Sequence, residues 1–257
     1  MTQIYIRVRT EEQAAALAKV LKNEWDGSSE VFALCPVKSD PQTADLLKKA
    51  GARVFADLPF IARENTSGEL LEDMKRASWA EGYVVKNIDE LGILKEQGYE
   101  GGVIGDSFLY AYNSEAAGFY REHFPGIRMM ASDELTDAEL ERLPGGSRMI
   151  YKAYGRARVM LTAQSLVANY GEQGEAAKLR SAKNDRFISL DEDYGYTSVL
   201  TESPVSMPEA VSDGRWENVM ADLTCEDRGE SEKVIRAMLG KGELPSGIKG
   251  HHHKGID

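Results

Sequence analysis

Short apolar segments of strand length alternate with amphipathic stretches of helix length through about residue 160. That alternation restricts the chain to folds built from repeated βα units. The strand segments are Ile4 to Val8, Val31 to Cys35, Arg53 to Asp57, Tyr83 to Lys86, Gly102 to Gly105, Ile127 to Ala131 and Met149 to Tyr154. Most follow a Gly or polar turn residues, and short connections between them favour parallel strands with helices outside. Thr10-Glu11-Glu12-Gln13 and Thr136-Asp137-Ala138-Glu139 fit the capping box, and Asn87-Ile88-Asp89-Glu90 resembles it with Asn as the cap. After Thr10, the residues Ala14, Leu17, Ala18 and Leu21 fall on one helical face.

This pattern suits an open doubly wound sheet or a (β/α) barrel. No G-x-G-x-x-G follows a strand segment and no G-x-x-x-x-G-K-[ST] occurs, which removes support from nucleotide-binding open sheets. The expectation is therefore α/β: a (β/α) barrel-like domain with parallel strands over residues 1–165, followed by a smaller mixed C-terminal extension, β-rich and packed on the barrel, over 166–257. Within that extension Asn169 to Asn184 is polar, Arg186 to Leu200 reads as strand pieces around acidic turns, Asn218 to Thr224 as a strand and Glu230 to Leu239 as a helix.

Charge narrows the partners. The 31 basic and 42 acidic side chains give a net charge of -11, which repels phosphate and disfavours nucleic acid unless basic residues cluster. Arg7 with Arg9, and Lys152 with Arg156 and Arg158, are such clusters. No apolar run approaches the roughly 20 residues of a membrane-spanning helix, and MTQIYIRVRTEE lacks the layout of a secretory signal, so no membrane partner and a cytoplasmic location are expected. Cys35 and Cys225 lie in unrelated contexts, which excludes a disulfide framework and a four-thiolate metal site and leaves both as free buried thiols.

In a βα barrel the loops leaving the carboxyl ends of the strands build the site. The polar residues there are Arg63, Asn87, Asp106, Ser132 with Glu134, and Tyr154 with Arg156; helix capping and loop solvation compete with a functional role at each. His123 reads as a helix-end residue, and His251, His252 and His253 stand in GHHHKG near the C-terminus. No G-x-S-x-G elbow appears and neither cysteine has a neighbouring His or Lys in sequence. Glu202 and Glu226 are further acids available for proton transfer.

The order of GYVVKNIDEL, GVIGDSFLYAYNSEAA, MMASDELTDAEL, YGRARVMLTAQSL, DRF, TESPVSM, LTCED and GHHHKGID resembles the collagenase-like peptidase family U-32, specifically the C-terminal module of its long bacterial members. The resemblance implies a (β/α)-barrel-type fold. It also implies one of two activities: peptide hydrolysis of unassigned catalytic type, or oxygen-independent hydroxylation of RNA bases or quinone precursors by members with a cysteine-bound iron–sulfur cluster. Where the family block runs on as Ala-Gln-Cys-Leu, this chain has Ala163-Gln164-Ser165-Leu166, and no cysteine follows through Tyr196, so no cofactor is expected.

Asp106 or Glu134 as general base, with Arg156 or His251 stabilising negative charge, are the implied catalytic side chains, and Arg63, Asn87, Asn113, Tyr154 and Gln164 the substrate-binding ones. The partner would be a peptide or protein substrate. The alternatives are a non-catalytic accessory barrel that needs a protein partner or a homo-oligomer, and a subunit of an RNA-hydroxylating enzyme.

Overall fold

The computed structural model describes residues 2–61, 63–170 and 177–250. In chain order the elements are β1 (Gln3–Arg7), α1 (Glu11–Glu24), β2 (Glu30–Pro36), α2 (Pro41–Lys49), β3 (Arg53–Asp57), α3 (Glu64–Arg76), β4 (Gly82–Val85), α4 (Ile88–Glu96), β5 (Gly102–Gly105), α5 (Ser114–His123), β6 (Arg128–Met129), α6 (Asp137–Arg142) and β7 (Ile150–Gly155). Then come β8 (Arg158–Thr162), α7 (Leu166–Tyr170), β9 (Ala177–Arg180), β10 (Arg186–Glu192), β11 (Tyr196–Thr201), β12 (Val205–Ser206), α8 (Pro208–Ser212), β13 (Asn218–Asp222) and α9 (Arg228–Met238). Among the described residues no helix is long and apolar enough to cross a membrane.

A nine-stranded sheet runs β12-β7-β13-β1-β2-β3-β4-β5-β6, parallel throughout except for the short β12. The sheet is curled: Met130, one residue past β6, bridges Ile150 of β7 in parallel, and the Ala131 N–H donates to the Ile150 carbonyl at 2.9 Å. The fold is thus α/β and barrel-like, with helices in the crossovers. The helix starts follow local chemistry. Thr10 Oγ1 accepts from Gln13 N while Gln13 Oε1 accepts from Thr10 N, and the same reciprocal box joins Thr136 and Glu139. Such a cap stabilises a helix by about 1 kcal/mol. Ala14, Leu17, Ala18 and Leu21 of α1 are buried as their spacing requires.

The boundary expected at residue 165 cuts through this sheet. β13, from the expected C-terminal extension, lies between β1 and β7 and pairs with both in parallel, because each would otherwise leave a buried edge without hydrogen-bond partners. What the sequence presented as a trailing extension is an insertion between β7 and β13, followed by a last βα unit. The inserted strands form a separate antiparallel sheet in the order β8-β11-β10-β9. Cys225 is also exposed rather than buried, whereas Cys35 is buried as expected.

Inside the curl, Tyr5, Phe32, Leu34, Phe55, Val84, Ile104, Met130, Ile150 and Met220 form a core of their own, distinct from the layer between sheet and helices. Tyr5 stacks on Phe32 at 4.6 Å and Phe32 meets Phe55 edge-on at 5.7 Å. Full burial of each such side chain contributes roughly 1.5–3 kcal/mol. Room for Phe55 comes from Gly82, where an added Cβ would lie 2.2 Å from the ring.

Candidate functional site

Strand geometry extends the interior core into a charged layer. Side chains two residues apart on a strand share a face. One step beyond Tyr5, Leu34, Phe55, Val84, Ile104, Met130, Ile150 and Met220 therefore stand Arg7, Pro36, Asp57, Lys86, Asp106, Ser132, Lys152 and Asp222, all towards the carboxyl ends of the strands. Three of these are cationic and three anionic. Five of them neutralise one another: Arg7 pairs with Asp57 at 3.2 Å, with Asp222 at 3.0 Å and, more closely, with Asp106, while Lys86 reaches Asp57 at 3.0 Å; Lys152 pairs instead with Asp133. A charge buried this deeply is tolerated only with such partners.

Burial opposes the charge on Asp106, but Arg7 and Lys86 outweigh it and hold the carboxyl at about 2. Its oxygens also accept from Ser107 Oγ at 3.1 Å and Phe108 N at 3.3 Å. A carboxylate so occupied is a weak base, and the structure corrects its expected role: Asp106 anchors Arg7. Gly155, at φ +146, ends β7 against Asp222, where an added Cβ would sit 2.9 Å from the Asp222 Cβ.

Above this layer the mouth is lined by Arg7, Arg9, Lys152, Arg156 and Arg158 against Asp133 and Asp222. Their counter-ions lie to the side: Glu192 of β10 binds Arg9 at 2.9 Å and Arg158 at 3.1 Å, and Glu226 pairs with Arg156. Burial, with the like charge of Arg9 alongside, draws Arg158 down to about 10 in spite of Glu192. The side-chain Nε of Arg9 and of Arg158, and Oδ1 of Asp222, are buried with no hydrogen-bond partner. Buried polar atoms of this kind cost about 1–3 kcal/mol each unless something satisfies them.

The mouth itself has a volume of about 20 Å³, room for about one water molecule, and shares Ser107, Phe108, Asp133, Lys152 and Arg158 with a cleft of about 290 Å³. That cleft is aromatic on one side, carrying Phe108, Tyr110 and Tyr112, and it includes Ser132 and Glu134. Phe60, Phe108, Tyr110 and Tyr112 follow one another at ring separations of 4.6, 6.3 and 5.3 Å, and the Arg158 guanidinium lies 3.3 Å over Phe60. Burial is the main cause that raises Tyr112 to about 12, with Glu134 adding to it.

The sequence-predicted residues divide accordingly. Glu134 lines the cleft and Arg156 the mouth, where Arg156 also donates to Thr224 Oγ1 at 2.8 Å and the Glu202 carbonyl at 3.2 Å. Tyr154 donates to Glu226 at 3.1 Å, tying both to the Arg156 pair. Asn87 caps α4 through Glu90 N and donates to the Phe60 carbonyl, and Asn113 caps α5 through Ala116 N, so both act as helix caps and neither lines the cavity. Arg63 is exposed at the start of α3 with its guanidinium 5.1 Å from the Tyr196 ring, and Gln164 is exposed beyond β8; neither lines the mouth or the cleft. His251 lies outside the described residues.

Asp222 and Phe108 escaped the sequence reasoning, and Arg9, Lys152 and Arg158 were seen there only as members of basic clusters. Arg158 begins β8, Asp222 ends β13 and Lys152 lies within β7, and two-residue spacing from the core would have found Lys152 and Asp222. Among the described residues no group of three or more His, Cys, Asp or Glu is placed to hold a metal ion.

No family model and no curated protein matches the chain. Among solved structures, the spore cortex-lytic enzyme SleL of Bacillus cereus matches over 95% of this chain and 75% of its own, at 8% identity and a TM-score of 0.36. A likeness so distant carries no argument about function.

Proposed function

We propose that the chain is a barrel of the collagenase-like peptidase type, its curled sheet closing as a (β/α) barrel, whose mouth holds the carboxylate of a peptide ligand. The observation that carries this reading is the pair of buried, unpartnered Nε donors on Arg9 and Arg158, two side chains that line the mouth where it joins the 290 Å³ cleft. The mouth gathers Arg7, Arg9, Lys152, Arg156 and Arg158, each paired with a carboxylate, and an incoming carboxylate adds to these pairs through the two Nε donors that lack a partner. The ligand body then lies in the aromatic cleft, next to Glu134, a carboxylate that lines the cleft and can take the proton of an attacking water and return it to the departing amine nitrogen.

Calorimetric titration with an N-acetylated dipeptide and its C-terminal amide tests the reading. The acid binds and the amide is weakened by at least about tenfold. Arg158→Gln abolishes that difference. Equal affinity for acid and amide refutes it.

A second reading, a non-catalytic accessory barrel, is favoured by one observation: Asp106 and Arg156, two of the side chains expected to do chemistry, are both committed to buried ion pairs. Binding of the acid without release of new amino groups from longer peptides supports this reading over hydrolysis.

A further inference from the structure

The inserted antiparallel sheet has two edges, and they are built differently. Edge strands invite pairing with other chains and are normally guarded by charges or proline. β9 carries exposed Lys178 and Arg180. β8, at the other edge, pairs only with β11 among the described residues and presents Val159 at 53% and Met160 at 49% exposure, followed by Leu161. No charge interrupts Val159-Met160-Leu161. The same strand begins at Arg158, which lines both mouth and cleft, and Val159 lines the cleft as well.

We infer that β8 is a docking edge for an extended peptide, which adds as a further antiparallel strand and delivers its C-terminal carboxylate to the mouth. The direction follows from the sheet. Every pairing in it is antiparallel, so an added strand runs opposite to β8 and ends beside Arg158, the first residue of β8. There the carboxylate meets Arg9, Arg158 and Lys152, while main-chain hydrogen bonds to β8 supply affinity along the rest of its length. The end of the strand selects the occupant: β8 leads into the mouth at Arg158, where the Nε donors of Arg9 and Arg158 lack a partner, and a peptide with a free C-terminal carboxylate supplies one. This inference rests on the peptide-carboxylate reading above and adds to it the length and backbone geometry of the ligand.

Fluorescence anisotropy with a labelled octapeptide of alternating threonine and valine, free at its C-terminus, is the test, with N-acetylvaline followed by protein NMR as the short probe. The octapeptide binds more tightly than N-acetylvaline. N-methylation of the alternate amides that face β8 weakens it by at least about tenfold, because each removes a ladder hydrogen bond. N-methylated and parent octapeptides of equal affinity overturn strand addition while leaving the mouth reading in place if N-acetylvaline still shifts the Arg158 and Lys152 resonances. Absence of any shift with N-acetylvaline overturns the mouth reading as well. Sedimentation of the free protein as a dimer that Met160→Lys turns into a monomer, with no octapeptide binding to either form, assigns the edge to a second copy and overturns the inference.

Discussion

Replacing Arg7 by methionine removes one cation from among three carboxylates while roughly keeping its volume. The Arg7 side chain is 6% exposed and those of Asp57, Asp106 and Asp222 are 10%, 1% and 11% exposed, so water cannot take over its role. Breaking a buried pair costs about 3–5 kcal/mol, mostly the cost of the stranded partner. The pH dependence identifies the cause. In the native protein Asp106 is held at about 2, below its ordinary 3.8. Its contribution of about 2 kcal/mol is fully present above the unfolded value and is lost only as pH falls from about 4 towards 2. Without Arg7, burial and mutual repulsion push the carboxyls up, and the variant takes up protons on folding well above pH 4. The stability gap between native and Arg7→Met proteins, measured by urea denaturation, therefore narrows between pH 7 and pH 4. A gap below about 1 kcal/mol at pH 7, or one that is unchanged at pH 4, refutes the account of a charged layer held by Arg7. Partial rescue by adding Asp106→Asn would confirm the location.

Glu90 is fully buried, and burial raises it to about 8, so between its unfolded value and 8 the folded state holds a proton that the unfolded state has released. Stability should fall as pH rises through that window by up to about 1.4 kcal/mol per unit, and Glu90→Gln should flatten the slope in denaturation curves. Gly82→Ala would press a Cβ to 2.2 Å from Phe55 and 2.4 Å from the Gly102 carbonyl; a loss of about 1–3 kcal/mol in urea unfolding is expected, and a neutral result counts against the tight interior. A thiol reagent near pH 8 should modify Cys225 in the folded protein and spare Cys35, which is buried and raised to about 12; mass mapping of the modified peptide decides this.

The parts of this fold that were legible in the sequence are those governed by neighbours in the chain. Thr10 and Thr136 announce their helices because the capping bonds span three residues, and the strand segments from Ile4 to Tyr154 show in their apolar runs. β13 was visible as a strand, but its place between β1 and β7 depends on partners over 60 and 200 residues away, which no local pattern encodes. At the site, a polar residue after a strand has two physical uses, and Asn87 and Asn113 show the capping use prevailing where rim binding was expected. The basic clusters Arg7/Arg9 and Lys152/Arg156/Arg158 were visible in the sequence as two separate clusters; only curling of the sheet brings them to one mouth.

The pair between Arg7 and Asp222 joins residues 215 apart in sequence. Contacts of such span carry a large loop-closure cost and form late in folding. Synthesis from the N-terminus makes Arg7 early and its third carboxylate last, so a growing chain carries the cation of β1 without the strand that completes its surroundings. A nascent or truncated chain that lacks β13 would have its first twelve strands and still lack Asp222, so the charged layer is completed only when the last strand is added.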